Sequence, residues 1–382
     1  MKILTIIGAR PQIIKAAALS RAIKNSFSDQ IEEKILHTGQ HYDANMSEAF
    51  FREMGIPAPH FNLHIGSGRH GEQTAKMITG IEQVLMDEKF DSVVVFGDTN
   101  STLAGAVAAS KLHIPIVHIE AGLRSFNMAM PEEVNRIVCD QLSTLLFAPT
   151  ETAVGNLENE GFFSSKATFA DGRKRKVFHS GDIMYDNSLY FAGIAEQKTD
   201  ILKRLDLENQ DFVLTTIHRD INTDHPERLT EIVKALIEIS TKMKIVLPLH
   251  PRTKKLLPQN LPKEVFDQLQ NNQCITIIPP ASFFEIIVLE KHSKWIMTDS
   301  GGLQKEAYFF QKPCLILRPE TEWIEIVEQQ AGIIVDAHKD LIISSFYNLS
   351  QLKSNFPPVF GDGRAAEFIL EKMLSQISYK KS

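Results

Sequence analysis

Short apolar runs rich in β-branched residues, each closed by a polar or glycine-bearing turn and followed by a helical stretch, recur along this 382-residue chain. Ser92-Val93-Val94-Val95-Phe96 is the clearest run. It ends at Gly97-Asp98-Thr99-Asn100, and a small-residue helix follows from Thr102 to Leu112. These runs show no polar alternation, so both faces of each strand need cover. A parallel sheet wound with helices on both sides provides it. Lys2–Ile7, Ile35-Leu36, Ile114–Ile119 and Leu145–Ala148 extend the series, and Glu72–Met86 carries helical periodicity. In doubly wound sheets ligands bind beyond the carboxyl ends of the strands. That rule sets Arg10, His41, Asp98 and Glu120 on one rim, where two acids and a histidine suit proton transfer.

The length exceeds what one core usually serves, so two domains are expected. The polar, charge-dense stretch 162–178 marks the break. The reading is α/β throughout: a Rossmann-like domain over 1–180, a second over 181–364, and a helix and tail over 365–382. The second series runs Phe212–Ile217 into His218-Arg219, Lys244–Pro248 into His250, then Ile275–Ile278, Lys294–Met297 and Cys314–Leu317 into Arg318. The two doubly wound domains are expected to face a cleft lined by these polar strand ends.

Within the second series, Thr298-Asp299-Ser300-Gly301-Gly302-Leu303-Gln304-Lys305-Glu306 joins a strand to a helix. Ser300, Gly301 and Gly302 let a ligand approach the unpaired N–H groups of the first helical turn, where an anion gains hydrogen bonds and a favourable dipole. Glu306, one turn on, suits ribose hydroxyls, so the stretch fits a nucleoside diphosphate. Arg10 and Lys15 bracket the helix that follows Gly8-Ala9. That turn lacks the G-x-G-x-x-G pattern, so no nicotinamide cofactor is indicated. Cys139, Cys274 and Cys314 lie far apart, which supports neither a disulfide framework nor a metal site. The net charge of −6 argues against nucleic acid. No apolar run nears the roughly 20 residues of a membrane span. The N-terminus reads as a strand and not a leader, and a cytoplasmic protein is expected.

A collinear set of motifs then identifies a resemblance. Gly8-Ala9-Arg10-Pro11-Gln12, Gly97-Asp98-Thr99, His118-Ile119-Glu120-Ala121-Gly122-Leu123-Arg124, Pro131-Glu132-Glu133-Val134-Asn135-Arg136, His218-Arg219, Thr298–Gln304 and Gly361-Asp362-Gly363 together resemble the non-hydrolysing UDP-N-acetylglucosamine 2-epimerases. The resemblance implies two Rossmann-like domains of the GT-B type, closure on substrate and a homodimer. It implies inversion at C2 of a UDP-linked 2-acetamido sugar, by elimination of UDP and re-addition through a 2-acetamidoglucal, with no cofactor. Carried over by position, Asp98, Glu120 and Glu132 are the acid/base carboxylates and His218 acts near the diphosphate. Arg10, Lys15 and Arg136 supply positive charge, while Ser300, Gly301, Gly302 and Glu306 hold phosphate and ribose. His250 and Arg318 border the same wall.

Three departures qualify this picture. Thr321-Glu322-Trp323-Ile324-Glu325 stands where the family often has Thr-Glu-Arg-Pro-Glu, and Lys305 replaces an acid. With Tyr308-Phe309-Phe310 and Ser125–Met128, these features are similar to the branch acting on UDP-2,3-diacetamido-2,3-dideoxyglucuronate. Either Trp323 and Lys305 alter the sugar pocket, with the extra cation serving a carboxylate, or Trp323 is merely repacked and Lys305 points to solvent. The stretch Gln40–Met46 lacks an arginine that many members use to bind an activating second substrate, so absence of substrate activation is expected. A hydrolysing epimerase, a GT-B glycosyltransferase and a non-catalytic sugar-nucleotide sensor are the alternatives. The Asp98/Glu120/Glu132 set speaks for the epimerase.

Overall fold

The computed structural model describes residues 1–40, 51, 55–163, 169, 172, 174–349 and 355–377. His41, and with it most of the stretch read for regulation, lies outside the described residues. Contacts divide the chain into two units, Met1–Asn187 with Pro358–Ser382, and Ser188–Pro357.

The first unit is built on seven strands: β1 (Lys2–Ile7), β2 (Glu32–His37), β3 (Phe61–Asn62), β4 (Ser92–Phe96), β5 (Ile116–Ile119), β6 (Leu145–Ala148) and β7 (Lys176–His179). Their order is β3-β2-β1-β4-β5-β6-β7, and every pairing is parallel. All five residues of β4 are buried, as its unbroken apolar run requires. Helices His70–Asp87 and Asn100–Lys111 cover one face, their Met77, Ile81, Leu85, Ala104 and Ala108 packing with Leu4, Ile6, Val93 and Val95. The small side chains of the second helix let it lie close to the sheet.

The second unit repeats the plan with six strands: β8 (Phe212–Thr216), β9 (Lys244–Pro248), β10 (Ile275–Ile278), β11 (Trp295–Thr298), β12 (Cys314–Ile316) and β13 (Gly332–Ile334). Their order is β10-β9-β8-β11-β12-β13, again all parallel. Helix Pro226–Ser240 buries Leu229, Ile232, Val233, Leu236 and Ile239 against this sheet.

In both units the strand order reverses beside the first strand of the series, between β1 and β4 and between β8 and β11. Those are the places where crossover helices diverge to opposite faces and leave room for a ligand. Register then sets the heights of the turns. Phe96 lies opposite Ile119, so Asp98 and Glu120 emerge level with one another. Thr216 lies opposite Thr298, and their hydroxyls share a 2.6 Å hydrogen bond, which brings His218 level with Asp299.

The observed elements depart from the sequence reading mostly at ends and in short pieces. The first helix runs Arg10–Ala22 and widens into a π turn, Ile23–Phe27. The helix of the anion-binding turn begins at Gly301 and not Leu303, because the Ser300 side chain caps it by accepting from the Leu303 N–H at 3.4 Å. The unit boundary falls inside helix Ile183–Lys198, against the 180/181 change read from composition. The final helix Ala365–Gln376 packs with the first unit, where the buried Asp186 carboxylate accepts from the N–H groups of Ala365 and Ala366 at 3.1 and 2.8 Å. No helix among the described residues is long and apolar enough to cross a membrane.

Candidate active site

In the first unit the turns after β1, β2 and β4 and the start of helix Pro131–Leu142 converge on an open pocket of about 460 Å³. Arg10, Asp98 and Glu132 line it, with Gln40, His70, Asn100 and Asn135. Arg136 reaches Asp98 with one guanidinium nitrogen and Glu133 with another, the latter at 2.7 Å. Burial works against the Arg136 charge, yet Asp98 and Glu133 hold its pKa above the ordinary guanidinium value. Glu133 is 1% exposed and accepts from the Ser125 N–H and hydroxyl at 2.9 Å and from the Phe126 N–H at 3.0 Å. Burial opposes its ionisation, but these donors and Arg136 hold its pKa below the usual carboxylate range. Glu132 is exposed on the helix beside it.

Glu120 is paired with Lys15. Both side chains are only 11% exposed, so the pair is nearly dry. Glu120 has φ +72°, a left-handed conformation that non-glycine residues seldom take and that marks stored strain. It is held there because the N–H groups of Glu120 and Ala121 both donate to the Phe147 carbonyl at 3.0 Å. The pair lies against Gly97. At φ +60° and with Glu120 Oε2 only 3.0 Å from where a Cβ would stand, position 97 suits glycine alone. Each rim carboxylate is thus tied to its own cation, Asp98 to Arg136 and Glu120 to Lys15.

In the second unit the buried Asp299 carboxylate gathers the loop after β8. It accepts from the His218 N–H at 3.0 Å, the Arg219 N–H at 3.0 Å and the Asn222 side-chain amide at 3.1 Å. The His218 ring also reaches it, Nδ1 to Oδ1 at 3.2 Å. Burial lowers the His218 pKa; Asp299 opposes that shift, and Arg219 and His250 reinforce it. His250 caps helix Pro251–Asn260 by accepting from the Arg252 N–H at 3.3 Å. Beside Gly301, where a Cβ would meet Glu322 Oε1 at 2.2 Å, Glu322 is ion-paired with Arg318 at 2.8 Å. Gly302 is exposed, and Glu306 is half-buried and faces the wholly buried Glu290 of helix Phe283–His292. Burial, with Glu306 alongside, raises the Glu290 pKa well above the carboxylate range.

Lys305 does not point to solvent, as one sequence reading had it. It is 5% exposed, and its ammonium sits 4.1 Å from the centroid of the equally buried Trp323 ring. The arginine-to-tryptophan and acid-to-lysine departures are thus one feature, a cation–π pair.

The first unit therefore brings Arg10, Lys15, Asp98, Glu120, Glu132 and Arg136 together around one set of turns. The second gathers His218, His250, Ser300, Gly301, Gly302, Glu306 and Arg318 near the carboxyl ends of β8, β9, β11 and β12, with Trp323 just beyond. Sequence reasoning gave no role to Glu133, Asn100, Asn135, His70, Asp140 or Glu290. Glu133 was signalled only by helix phase, which turns it inward while Glu132 faces out. Among the described residues no three His, Cys, Asp or Glu side chains cluster as metal ligands.

The sequence model of the UDP-N-acetylglucosamine 2-epimerase family matches residues 23–374. A UDP-2,3-diacetamido-2,3-dideoxy-D-glucuronate 2-epimerase of Pseudomonas aeruginosa is 48% identical over 374 residues, covering 97% of this chain and 99% of the relative. A UDP-N-acetylglucosamine 2-epimerase of Methanocaldococcus jannaschii is 43% identical, covering 97% of this chain and 98% of that one. The crystal structure of the Methanocaldococcus jannaschii UDP-GlcNAc 2-epimerase in complex with UDP-GlcNAc and UDP superposes with a TM-score of 0.82 at 42% identity, covering 98% and 100% of the two chains. Fold, sequence and the two-domain α/β plan of the GT-B type agree: the chain belongs to the UDP-N-acetylglucosamine 2-epimerase family, and is an isomerase acting on a UDP-linked sugar.

Proposed function

We propose that this enzyme inverts C2 of a UDP-linked 2-acetamido sugar without releasing free sugar, and that its substrate is the 2,3-diacetamido-2,3-dideoxyglucuronate. A base removes the C2 proton, and the C1–O bond breaks with its electron pair leaving on UDP. The resulting 2-acetamidoglucal carries a C1=C2 double bond. The diphosphate oxygen then adds back to C1 while an acid delivers a proton to the opposite face of C2. Such a route needs two separately placed acid/base groups and strong stabilisation of the departing diphosphate.

The observation that carries the reading is the pair of level turns bearing Asp98 and Glu120, each carboxylate held by a cation, with Glu132 in the pocket that Asp98 lines. Asp98, Glu120 and Glu132 are assigned to acid/base work. His218 and the Ser300-Gly301-Gly302 helix start are assigned to the diphosphate, with His250 and Arg318 beside them, and Glu306 to the ribose; Arg10 is assigned to supplying positive charge. The Lys305–Trp323 pair supports the uronate, since a buried ammonium is the group a substrate carboxylate would favour. UDP-N-acetylglucosamine is the second reading, favoured by the Methanocaldococcus jannaschii relative.

Proton NMR in D₂O with each sugar nucleotide tests both. The manno epimer with deuterium at C2 and no free sugar is expected, with the uronate turning over faster. Accumulation of free sugar with UDP would establish the hydrolysing reaction instead. Intact substrate protons alongside normal UDP binding would refute 2-epimerisation and leave a glycosyltransferase or a non-catalytic sensor. A homodimer and the absence of substrate activation are proposed with this reading; light scattering and the shape of the saturation curve check them.

A further inference from the structure

His118 lies within β5 and is 0% exposed. Its Nδ1 is 2.7 Å from Asp140 Oδ1, and its Nε2 is 2.8 Å from the Gly97 carbonyl oxygen. Both neighbours are acceptors only, so both ring nitrogens must carry protons. Asp140, also 0% exposed, accepts in addition from the Gly122 N–H at 3.1 Å and from Arg124 Nη1 at 2.8 Å. Arg124 continues to Glu160, Nε to Oε1 at 2.6 Å. Cys139 completes the surroundings of the ring. A histidine, a cysteine and an aspartate so close suggest a nucleophilic trio, but all three side chains are sealed from solvent. None of them reaches a substrate.

We propose that His118 is a positioning residue that clamps together the two turns carrying the acid/base carboxylates. One ring N–H holds the carbonyl of Gly97, the residue before Asp98. The other holds Asp140, which holds the backbone of Gly122, two residues after Glu120. The clamp rests on the assignment of Asp98 and Glu120 to the chemistry. It explains why the strained backbone at Glu120 and the left-handed Gly97 stay in register: the same imidazolium is bonded on both sides. Burial works against the ring's charge, but Cys139 and Asp140 beside it raise its pKa well above the usual imidazole value. Asp140 is correspondingly held below the usual carboxylate range, since burial is outweighed by His118 and Arg124. Glutamine, with its donors on one nitrogen, cannot bridge two acceptors on opposite sides of a ring-sized gap.

The test compares H118Q, D98N and E120Q by C2 deuterium exchange, steady-state kinetics, UDP calorimetry and melting. For H118Q the expected loss in kcat is about 30- to 100-fold, the scale of a misplacement near 1 Å, with UDP affinity and KM within about twofold. A merely structural role would lower kcat and the UDP-binding fraction together, and that result overturns the clamp. Full activity of H118Q, with D98N and E120Q inactive, also overturns it while leaving the acid/base assignment intact. Active D98N and E120Q would overturn both. Should H118Q not fold, ¹⁵N-histidine spectra of the wild-type enzyme decide. One of the 13 histidines retaining both ring N–H signals at pH 8.5 supports the clamp. Single-proton tautomers for all of them at that pH refute it.

Discussion

Replacing Gly97 by alanine isolates the placement of Glu120 from its identity. At φ +60° the new side chain would stand 3.0 Å from Glu120 Oε2 and 3.3 Å from Lys15 Nζ. The backbone strain of an L-residue there is about 1 to 2 kcal/mol. For a unit of this size that is a fall in Tm of about 2 to 8 °C. The steric effect is the more telling one, because the two closest atoms belong to the paired carboxylate and ammonium. They must yield by a few tenths of an ångström, and Glu120 is already pinned through its own N–H and that of Ala121. A shift of that order in a reacting group predicts a drop in kcat of roughly 10- to 100-fold, with UDP affinity unchanged. Gly155, inside helix Glu151–Asn159 and with nothing within 4 Å of its would-be Cβ, is the control. Alanine there should stabilise by about 0.5 to 1 kcal/mol and leave kcat alone. Stopped assays of C2 exchange alongside thermal melts read both quantities. If G97A melts lower but turns over at the wild-type rate, the position of the Glu120–Lys15 pair does not govern the chemistry.

Separately, D98N and E120Q should each lower kcat by about 10²- to 10⁴-fold, the range of a lost general acid or base, with calorimetric UDP affinity retained; wild-type exchange in either removes that residue from the mechanism. K305M keeps the stem but not the charge over Trp323, and should shift the kcat/KM preference away from the uronate by roughly tenfold, about 1.4 kcal/mol; equal losses with both sugars would make the pair a packing feature. Glu290 gives a pH signature. Its folded pKa is raised by burial and by Glu306, so below the ordinary carboxyl pKa both states are protonated. As pH rises past that value only the unfolded state ionises, and stability falls by up to tenfold in the unfolding constant per pH unit until the folded pKa is reached. E290Q has no such proton to lose. Urea titrations should find it gaining on the wild type between pH 5 and pH 8, and parallel curves would show that Glu290 is ionised in the native protein.

The sheets were legible because a strand buried on both faces admits few residues but Val, Ile, Leu and Phe, and β4, β6 and β9 consist largely of these. β3 and β13, two and three residues long, are too short to show any pattern. They exist because a neighbouring strand supplies their hydrogen bonds. Rim residues such as Asp98 and Glu120 were legible as strand-end acids, and the motif order added their roles. What the sequence withheld was pairing. Helix phase turns Glu133 inward and Glu132 out, but nothing in their spelling says that Glu133 holds Ser125 and Phe126. Nothing near Lys305 says that its partner is the indole eighteen positions on. Asp140 looked like any helical acid until β5 placed His118 against it. Such contacts depend on which helix face meets which strand, and that is set by the tertiary fold.

The two units use the same topological position in opposite ways. The strand next to the first one, β4 or β11, ends in a turn that carries an aspartate, Asp98 in one and Asp299 in the other. Asp98 is 29% exposed at its side chain and meets Arg136 at the pocket edge. Asp299 is fully buried, and its oxygens are occupied by the His218 and Arg219 backbone and the Asn222 amide. A carboxylate facing these donors and the His218 ring holds the loop together. Its effect is to fold the β8 loop toward the start of helix Gly301–Phe309 while leaving the N–H groups ahead of Leu303 for an anion. D299N, which replaces one acceptor oxygen by a donor facing N–H groups, should therefore weaken UDP binding by tenfold or more, the cost of about 1 to 3 kcal/mol for an unsatisfied buried polar group. C2 exchange at saturating substrate should change far less. If D299N instead lost kcat with UDP affinity intact, the division of labour between the two aspartates would be wrong, and Asp299 would have to be counted with the acid/base set.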